Sequence, residues 1–187
     1  MKANSLTVGQ AIRKINNVKI KPVYFLYGKD IFLQDFFITE LCKMKLSLKK
    51  NIFHFGIDTE ASFFDELSNI SLFNDEKIII IKNLKKMSKL GRDNLLIYLK
   101  DPNPHHFLII VKNNFENNKF INEIKANTDT IDTGVPFDSK MKEWVKYFLK
   151  RKKISIDESY LNDYIYAYGD NITNVVNEIE KEDLRLY

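Results

Sequence analysis

Gly28, Lys29 and Asp30 stand where a strand-like pattern passes into a helical one, which is where many nucleotide-binding proteins hold phosphates. A phosphate loop needs a second glycine and a Lys-Ser or Lys-Thr pair, because backbone N–H groups and the lysine ammonium cradle the phosphates. The stretch YGKDIFLQD has neither, and the carboxylate of Asp30 would repel a phosphate. We therefore predict that these three residues form a degenerate phosphate loop that does not bind nucleotide.

Other patterns for catalysis or ligand binding are also missing from the sequence. P-loop enzymes hold Mg²⁺ with acidic residues after the central strand, whereas the strand IIII is followed by Lys82 and Asn83. The three histidines lack metal-ligand spacing with Cys42, and the pair His105–His106 is predicted to form a surface turn. No serine lies in a GxSxG motif. We predict no catalytic residue, no metal site and no cofactor.

Strand-like and helix-like patterns alternate along the chain up to Pro136. Two of the strands, KIIIIKN and HFLIIVKNN, have no polar face, so each must be covered on both sides. Such alternation with short connections is typical of a parallel sheet with helices on both faces. We predict an α/β domain over residues 1–136 with a five-stranded, mainly parallel sheet. Its strands are PVYFLYG, NIFHFGID, KIIIIKN, HFLIIVKNN and DTIDTGV.

Only helical patterns follow Pro136, and they predict a small three-helix domain over residues 137–187. An α/β domain followed by a helical lid is the layout of AAA+ ATPases, which belong to the P-loop proteins. At the other end of the chain, SLTVGQAIRKINN is predicted to be a short amphipathic helix that includes Leu6.

The chain has 187 residues, a net charge of +4 and one cysteine, Cys42. A single cysteine excludes an intrachain disulfide and is typical of a reducing compartment. The longest apolar runs are far shorter than the roughly 20 residues that a membrane-spanning helix requires. We therefore predict a cytoplasmic protein. The mild basic charge fits a partner that carries phosphates without requiring one.

Leu72 and Phe73 lie at a seam between a helical pattern and a strand, in the stretch NISLFNDEK. The apolar stripe of the preceding helix comprises Phe63, Phe64, Leu67 and Ile70. If that helix continued, Leu72 would lie about 150° and Phe73 about 105° from the centre of the stripe. Both side chains would then leave the core face, whereas they could fold back if the helix ends at Asn69. The residues alone leave open whether the pair is core or an exposed anchor.

The chain resembles the delta subunit of the bacterial DNA polymerase III clamp loader along nearly its whole length. The resemblance rests on the order and spacing of five stretches. They are KPVYFLYGKDIFLQD, SLFNDEKIIIIKNL, LLIYLKDPNPHHFLIIVKN, KEWVKYFLKRKKISID and YGDNITNVVNEIEK. The resemblance implies an AAA+ domain with a degenerate phosphate loop and a helical lid. It also implies a non-catalytic subunit of a DNA-directed DNA polymerase holoenzyme. Such a subunit binds the ring-shaped sliding clamp, the beta subunit, and opens it for loading onto primed DNA during replication, without hydrolysing ATP.

In that family a Ser-Leu-Phe sequence at the end of a helix binds the clamp, and it matches Ser71, Leu72 and Phe73 here. The resemblance implies that Leu72 and Phe73 insert into a hydrophobic pocket of the clamp. The family usually continues into a helical collar domain that joins the other clamp-loader subunits. This sequence stops at EDLRLY, so we expect a fragment that grips the clamp but assembles poorly with those subunits.

A basic run follows the central strand and comprises Lys82, Lys85, Lys86, Lys89 and Arg92. It is either a solvated surface or a contact for primer-template DNA or an acidic clamp surface. Two other functions stay open beside the clamp-loader subunit. One is a divergent P-loop NTPase, and the other is a basic nucleic-acid-binding protein without a clamp partner.

Overall fold

The computed structural model describes residues 5–17, 20–44, 48–69 and 76–185, which form six strands, eight α-helices and one 3₁₀ turn. The strands are β1 (Leu6–Thr7), β2 (Val23–Tyr27), β3 (Lys49–His54), β4 (Lys77–Lys82), β5 (His106–Lys112) and β6 (Asp129–Asp132). The helices are α1 (Val8–Asn17), α2 (Ile31–Met44), α3 (Glu60–Ser68), α4 (Lys89–Lys100), α5 (Lys119–Asn127), α6 (Asp138–Lys152), α7 (Glu158–Tyr168) and α8 (Ile172–Arg185). The 3₁₀ turn is Leu84–Lys86.

The six strands form one sheet in the order β1-β6-β2-β5-β4-β3, and each neighbouring pair is parallel. The predicted α/β class with a parallel sheet is therefore confirmed, but the predicted strand count of five is wrong. The extra strand is β1, in which Leu6 pairs with Ile131 and Thr7 with Asp132. A strand of two residues is too short to produce a period-two pattern, and Leu6 was instead assigned to the following helix.

Thr7 ends β1 and also begins α1 through a reciprocal pair of hydrogen bonds. The Thr7 N–H donates to Oε1 of Gln10 at 2.9 Å, and the Gln10 N–H donates to Oγ1 of Thr7 at 3.3 Å. This is a capping box, in which a threonine and a glutamine three residues later satisfy backbone donors at a helix start. The sequence TVGQ contains that signal, and it places the helix start after Leu6.

The central strands β2, β5 and β4 are buried on both faces. Alternate residues of β2 point to opposite sides, so that Phe25 packs toward α3, α4 and α5 while Tyr24 contacts Phe37 of α2 with ring centroids 5.3 Å apart. The core on the first side includes Phe63, Leu95, Ile124, Ile79 and Ile110. Because all strands are parallel, their carboxyl ends meet at one edge of the sheet, and this edge carries Tyr27, Lys82 and Lys112.

The chain divides into two compact units. The first comprises Met1–Lys29 and Gln34–Thr133, and the second comprises Asp30–Leu33 and Gly134–Tyr187. The second unit, which we call the helical unit, contains α6, α7 and α8. Each of its helices buries one apolar stripe, as the helical period predicts. The buried side chains are Met141, Val145, Phe148, Leu149, Leu161, Ile165, Ile172, Val175, Val176 and Ile179. Within the described part of the chain, no helix combines the length and the apolar character needed to cross a membrane.

Substitution of two leucines of α4 separates two contributions to the free energy of unfolding, that of core burial and that of helix propensity. Leu95 is fully buried, whereas Leu90 on the same helix is 70% exposed. We expect Leu95→Ala to lower the free energy of unfolding by about 2–5 kcal/mol, because it removes buried methyl groups and leaves a cavity. Leu90→Ala should change it by less than about 0.5 kcal/mol. Urea denaturation of both variants measures the difference, and equal losses would contradict the placement of α4.

Candidate functional site

The loop after β2 satisfies its backbone with groups of the protein itself. The Gly28 N–H donates to the carbonyl of Lys112 at 3.0 Å. The side-chain amide of Gln34, which is buried on α2, donates to the Gly28 carbonyl at 2.9 Å and reaches Oγ1 of Thr133 at 3.4 Å. A phosphate loop instead presents free backbone N–H groups to its ligand. These contacts support the predicted degeneracy of the loop, and Gln34 is a residue of this loop that sequence reasoning did not single out.

Asp30 is completely buried and begins α2. Its Oδ1 accepts the Leu33 N–H at 3.0 Å, as the N-cap of a helix does, and its Oδ2 accepts the Ile172 N–H at 3.4 Å. Burial raises the pKa of Asp30, and hydrogen bonds from the backbone N–H groups of Leu33, Ile172 and Phe32 oppose this rise without cancelling it. Its neighbour Lys29 is exposed. The carboxyl group of Asp30 therefore accepts N–H groups at the starts of two helices.

Lys82 and Asn83 follow β4, where a P-loop enzyme holds magnesium with carboxylates. Asn83 adopts a left-handed backbone conformation with φ of 64°, and its Nδ2 donates to the Phe55 carbonyl at 2.7 Å. Lys82 is half-buried at the end of the strand and pairs in register with His54. Asn83 thus has a structural role in the turn, and Lys82 offers a cation where a metal ligand would be an anion.

The basic run extends from the end of β4, through the 3₁₀ turn, to the beginning of α4. Lys85, Lys86 and Lys89 are exposed, whereas Arg92 is half-buried. A guanidinium Nη of Arg92 donates to the carbonyl of Lys85 at 3.3 Å, and the guanidinium carbon lies 5.6 Å from the centre of the Phe120 ring. The structure therefore brings Lys85 and Arg92 together. Lys86 and Lys89 are close to them in the sequence and are also exposed.

Two further lysines join this surface from parts of the chain distant from the basic run. Lys112 ends β5 and is buried, with its Nζ 3.6 Å from Oε2 of Glu116. Lys85 Nζ lies 2.8 Å from Oε1 of the same glutamate. Lys125 of α5 places its Nζ 3.7 Å from the centre of the Tyr27 ring and donates to Oδ1 of Asn117 at 2.8 Å. We call Lys85, Lys112 and Lys125 the lysine cluster.

Electrostatics within the lysine cluster favour the arrival of an anion. Burial lowers the pKa of Lys112, with a smaller contribution from the charge of Lys85, while Glu116 opposes the change. Burial also lowers the pKa of Lys125, and the charge of Lys112 adds to the effect. Hydrogen bonding with Lys85 lowers the pKa of Glu116. The ammonium groups of Lys85 and Lys112 thus share the carboxylate of Glu116, and the charge of Lys112 also acts on Lys125. An additional anion would relieve the repulsion among these lysines.

The sequence could not reveal the lysine cluster as a unit. Lys112 and Lys125 belong to different elements from the basic run, and only the order β5-β4 in the sheet and the packing of α5 bring them near Lys85. The available signal was weak. A lysine directly after the apolar run FLIIV had to lie at the carboxyl edge of the sheet.

The predicted clamp-binding residues Ser71, Leu72 and Phe73 lie outside the described residues. On their amino-terminal side α3 ends at Ser68, and Asn69 has an extended backbone. The angles for Leu72 and Phe73 assumed a continuous helix, so that part of the sequence argument does not hold. Thr59 caps the start of α3 by accepting the Ser62 N–H at 3.2 Å.

An ion pair joins the two ends of the stretch that contains Leu72 and Phe73. Glu66 near the end of α3 accepts a hydrogen bond from Lys77, the first residue of β4, at 2.7 Å. Both side chains are largely shielded from solvent, so this pair is screened less than a fully exposed one. Residues 66 and 77 therefore have a defined separation.

His106 corrects one prediction near this ion pair. It is the first residue of β5 and is buried, whereas the sequence predicted a surface turn for His105–His106. The predicted strand HFLIIVKNN also included His106, and the structure places this residue in the strand and not in a turn. Burial lowers the pKa of the imidazole, and the charge of Lys77 lowers it further. Among the described residues, no group of three His, Cys, Asp or Glu side chains is arranged to hold a metal ion.

Comparison with solved structures supports the AAA+-like fold. The structure superposes on the Bacillus subtilis DNA clamp loader delta protein with a TM-score of 0.69 and 14% identity, over 94% of this chain and 56% of that chain. The Thermotoga maritima RuvB Holliday junction branch migration motor gives a TM-score of 0.61 and 10% identity, over 92% of this chain and 59% of that chain. Domain III of the Thermotoga maritima replication initiation protein DnaA gives a TM-score of 0.58 and 13% identity, over 93% of this chain and 80% of that domain.

Sequence comparison identifies a narrower relationship. A curated relative, DNA polymerase III subunit delta of Buchnera aphidicola subsp. Acyrthosiphon pisum (strain APS), is 28% identical over an alignment of 159 residues. That alignment covers 75% of this chain and 45% of that protein. This chain therefore spans less than half the length of that relative. The family described as DNA polymerase III, delta subunit, matches residues 24–156. The match covers most of the chain, and the chain belongs to the DNA polymerase III delta subunit family, whose members are clamp-loader components in DNA replication.

Proposed function

We propose that this chain binds the sliding clamp and opens its ring for loading onto primed DNA, without hydrolysing ATP itself. The observation that carries the proposal is the family match over residues 24–156, which includes Ser71, Leu72 and Phe73. In this proposal Leu72 and Phe73 are the anchors. The other clamp-loader subunits and primer-template DNA are the further partners of the full-length protein.

Two apolar anchors would supply a large share of the energy of clamp binding. Burial of one exposed Leu or Phe side chain contributes roughly 1.5–3 kcal/mol, and such side chains dominate the affinity of interfaces. The ion pair between Glu66 and Lys77 supports the proposal because it defines the separation of the residues that flank the anchors.

Ring opening requires a difference in affinity and no chemical step. A subunit that binds the open clamp interface better than the closed one shifts the ring toward the open state by that difference. Each 1.4 kcal/mol of preference changes the equilibrium about tenfold. A protein that works in this way needs a rigid scaffold and an anchor, and it needs no catalytic residue.

The phosphate-loop region supports a subunit without ATP hydrolysis. Gly28 uses its N–H and its carbonyl in bonds within the protein, and the carboxylate of Asp30 is bound to the start of α2. Lys82 follows β4 in place of an acidic magnesium ligand. A divergent P-loop NTPase is the alternative. Calorimetry with ATP and Mg²⁺ distinguishes the two, because we expect no saturable binding.

The lysine cluster and its neighbours support contact with DNA phosphates. Lys85 is exposed, and Lys112 and Lys125 have pKa values lowered by burial and by neighbouring lysines, so a phosphate would replace repulsion with attraction. Lys86 and Lys89, near Lys85 in the sequence, are also exposed and add positive charge. Such contacts position a protein on DNA without reading its sequence.

The anchor role is tested with the double variant Leu72→Ala/Phe73→Ala. We expect its affinity for the cognate sliding clamp to fall by at least about 100-fold, because two buried apolar side chains are lost. Surface plasmon resonance with immobilised clamp measures the loss. The control is Ile57→Ala/Phe137→Ala, which truncates two side chains that are 86% and 89% exposed. The control should bind like the unmodified chain, and equal retention of both double variants would refute the anchor role.

DNA contact is tested by the salt dependence of binding to a primer-template duplex. We expect Lys85→Gln/Lys86→Gln/Lys89→Gln to weaken binding and to reduce the slope of log K against log salt by about 2–3, because each lost phosphate contact releases one counterion fewer. The control, Lys140→Gln/Lys146→Gln/Lys150→Gln, makes the same change in net charge on exposed positions of α6. Equal slopes for the two triple variants would place the DNA contact elsewhere, and a flat response of the unmodified chain would remove it.

A further inference from the structure

Asp30 connects the starts of two helices that are far apart in sequence. One carboxylate oxygen accepts the N–H of Leu33 in the first turn of α2, at 3.0 Å. The other accepts the N–H of Ile172, the first residue of α8, at 3.4 Å. Asp30 has no exposed surface, and Ile172 is also fully buried. A buried carboxylate therefore serves two helix N-termini.

Helix N-termini attract anions for two reasons. The first four backbone N–H groups have no partner within the helix, and the helix dipole places partial positive charge at that end. In P-loop proteins the ligand at the corresponding helix is a phosphate group. Here the residue that begins α2 brings its own anion, and the charge is stabilised by the N–H groups of Leu33, Phe32 and Ile172.

The residues beside Asp30 belong to the same packing arrangement. Residues Asp30–Leu33 group with the helical unit rather than with the remainder of α2. The Phe32 ring packs edge-on against Phe148 of α6, with ring centroids 4.4 Å apart. Asp30 thus contacts α8 and Phe32 contacts α6, so the first turn of α2 completes the helical unit from a distant part of the sequence.

We propose that Asp30 is a built-in anion that replaces a nucleotide phosphate and holds the start of α8 at the first turn of α2. The first turn of α2 and the start of α8 then stay together within the helical unit whether or not a nucleotide is available. In a nucleotide-dependent protein the phosphate would come and go, whereas a covalently attached carboxylate is always present. The proposal goes beyond clamp binding, and its test uses no clamp.

The first test replaces the anion by Asp30→Ala and then supplies one from solution. We expect the thermal midpoint to fall by at least about 4 °C, because two helix starts lose their acceptor. Amide hydrogen exchange at Ile172 should accelerate by at least about tenfold. Sodium formate should recover part of the lost thermal midpoint of this variant, compared with sodium chloride at the same ionic strength. It should have no comparable effect on the unmodified chain.

Asp157→Ala is the matched control. Asp157 also occupies the position before a helix of the helical unit, α7, but it is exposed and its side chain makes no capping hydrogen bond. We expect no formate effect and no change in exchange at Ile172 in this variant. An Asp30→Ala midpoint equal to that of Asp157→Ala, or an equal response of both variants to formate, would overturn the proposal.

Asp30→Asn gives a second route if Asp30→Ala does not fold. Its amide oxygen can still accept the Leu33 N–H, but its NH₂ group cannot accept the Ile172 N–H. We therefore expect protection from exchange to persist at Leu33 and to fall at Ile172. Unchanged protection at Ile172 would mean that the link to α8 does not depend on the anion, and the proposal would fail.

Discussion

Burial of β2, β5 and β4 on both faces is the constraint on which the first unit depends. Their alternate side chains are apolar in both directions, so helices must cover both sides of the sheet. Parallel neighbours require each crossover to return to the same end, which brings the carboxyl ends of the strands to one edge. This arrangement of the strands brings Tyr27, Lys82 and Lys112 to the same edge of the sheet.

Proteins with this architecture commonly bind phosphates at that edge, and here the groups of the chain itself take up the available bonds. Gln34 and the backbone of Lys112 satisfy Gly28, and Asn83 supports the turn after β4. Gly28 and the turn after β4 are therefore stabilised by hydrogen bonds within the protein.

Charge is distributed unevenly over the surface despite a net charge of only +4. Lys85 and Lys112 share one nearby carboxylate, Glu116. The pKa values of Lys112 and Lys125 are lowered in part by a neighbouring ammonium group. A local excess of this kind attracts phosphates more effectively than the mean composition suggests. The value of the net charge alone was therefore a poor guide to the surface.

The sequence by itself determined the α/β class, the direction of the strands, the three helices after Pro136 and the absence of a phosphate-loop motif between Tyr27 and Gln34. These follow from local patterns, because apolar periodicity and short connections act over a few residues. The resemblance of its motifs also indicated the family that the comparisons confirmed.

Only the tertiary structure decided the features that join distant residues. The pairing of Leu6 with Ile131 adds a sixth strand, the burial of His106 follows from packing around β5, and the bond from Ile172 to Asp30 spans most of the chain. No periodic pattern or residue spacing in the sequence signals these features, since each depends on where the sheet and the helices bring separate segments together. Local sequence specifies which elements form, and long-range packing specifies which polar groups meet.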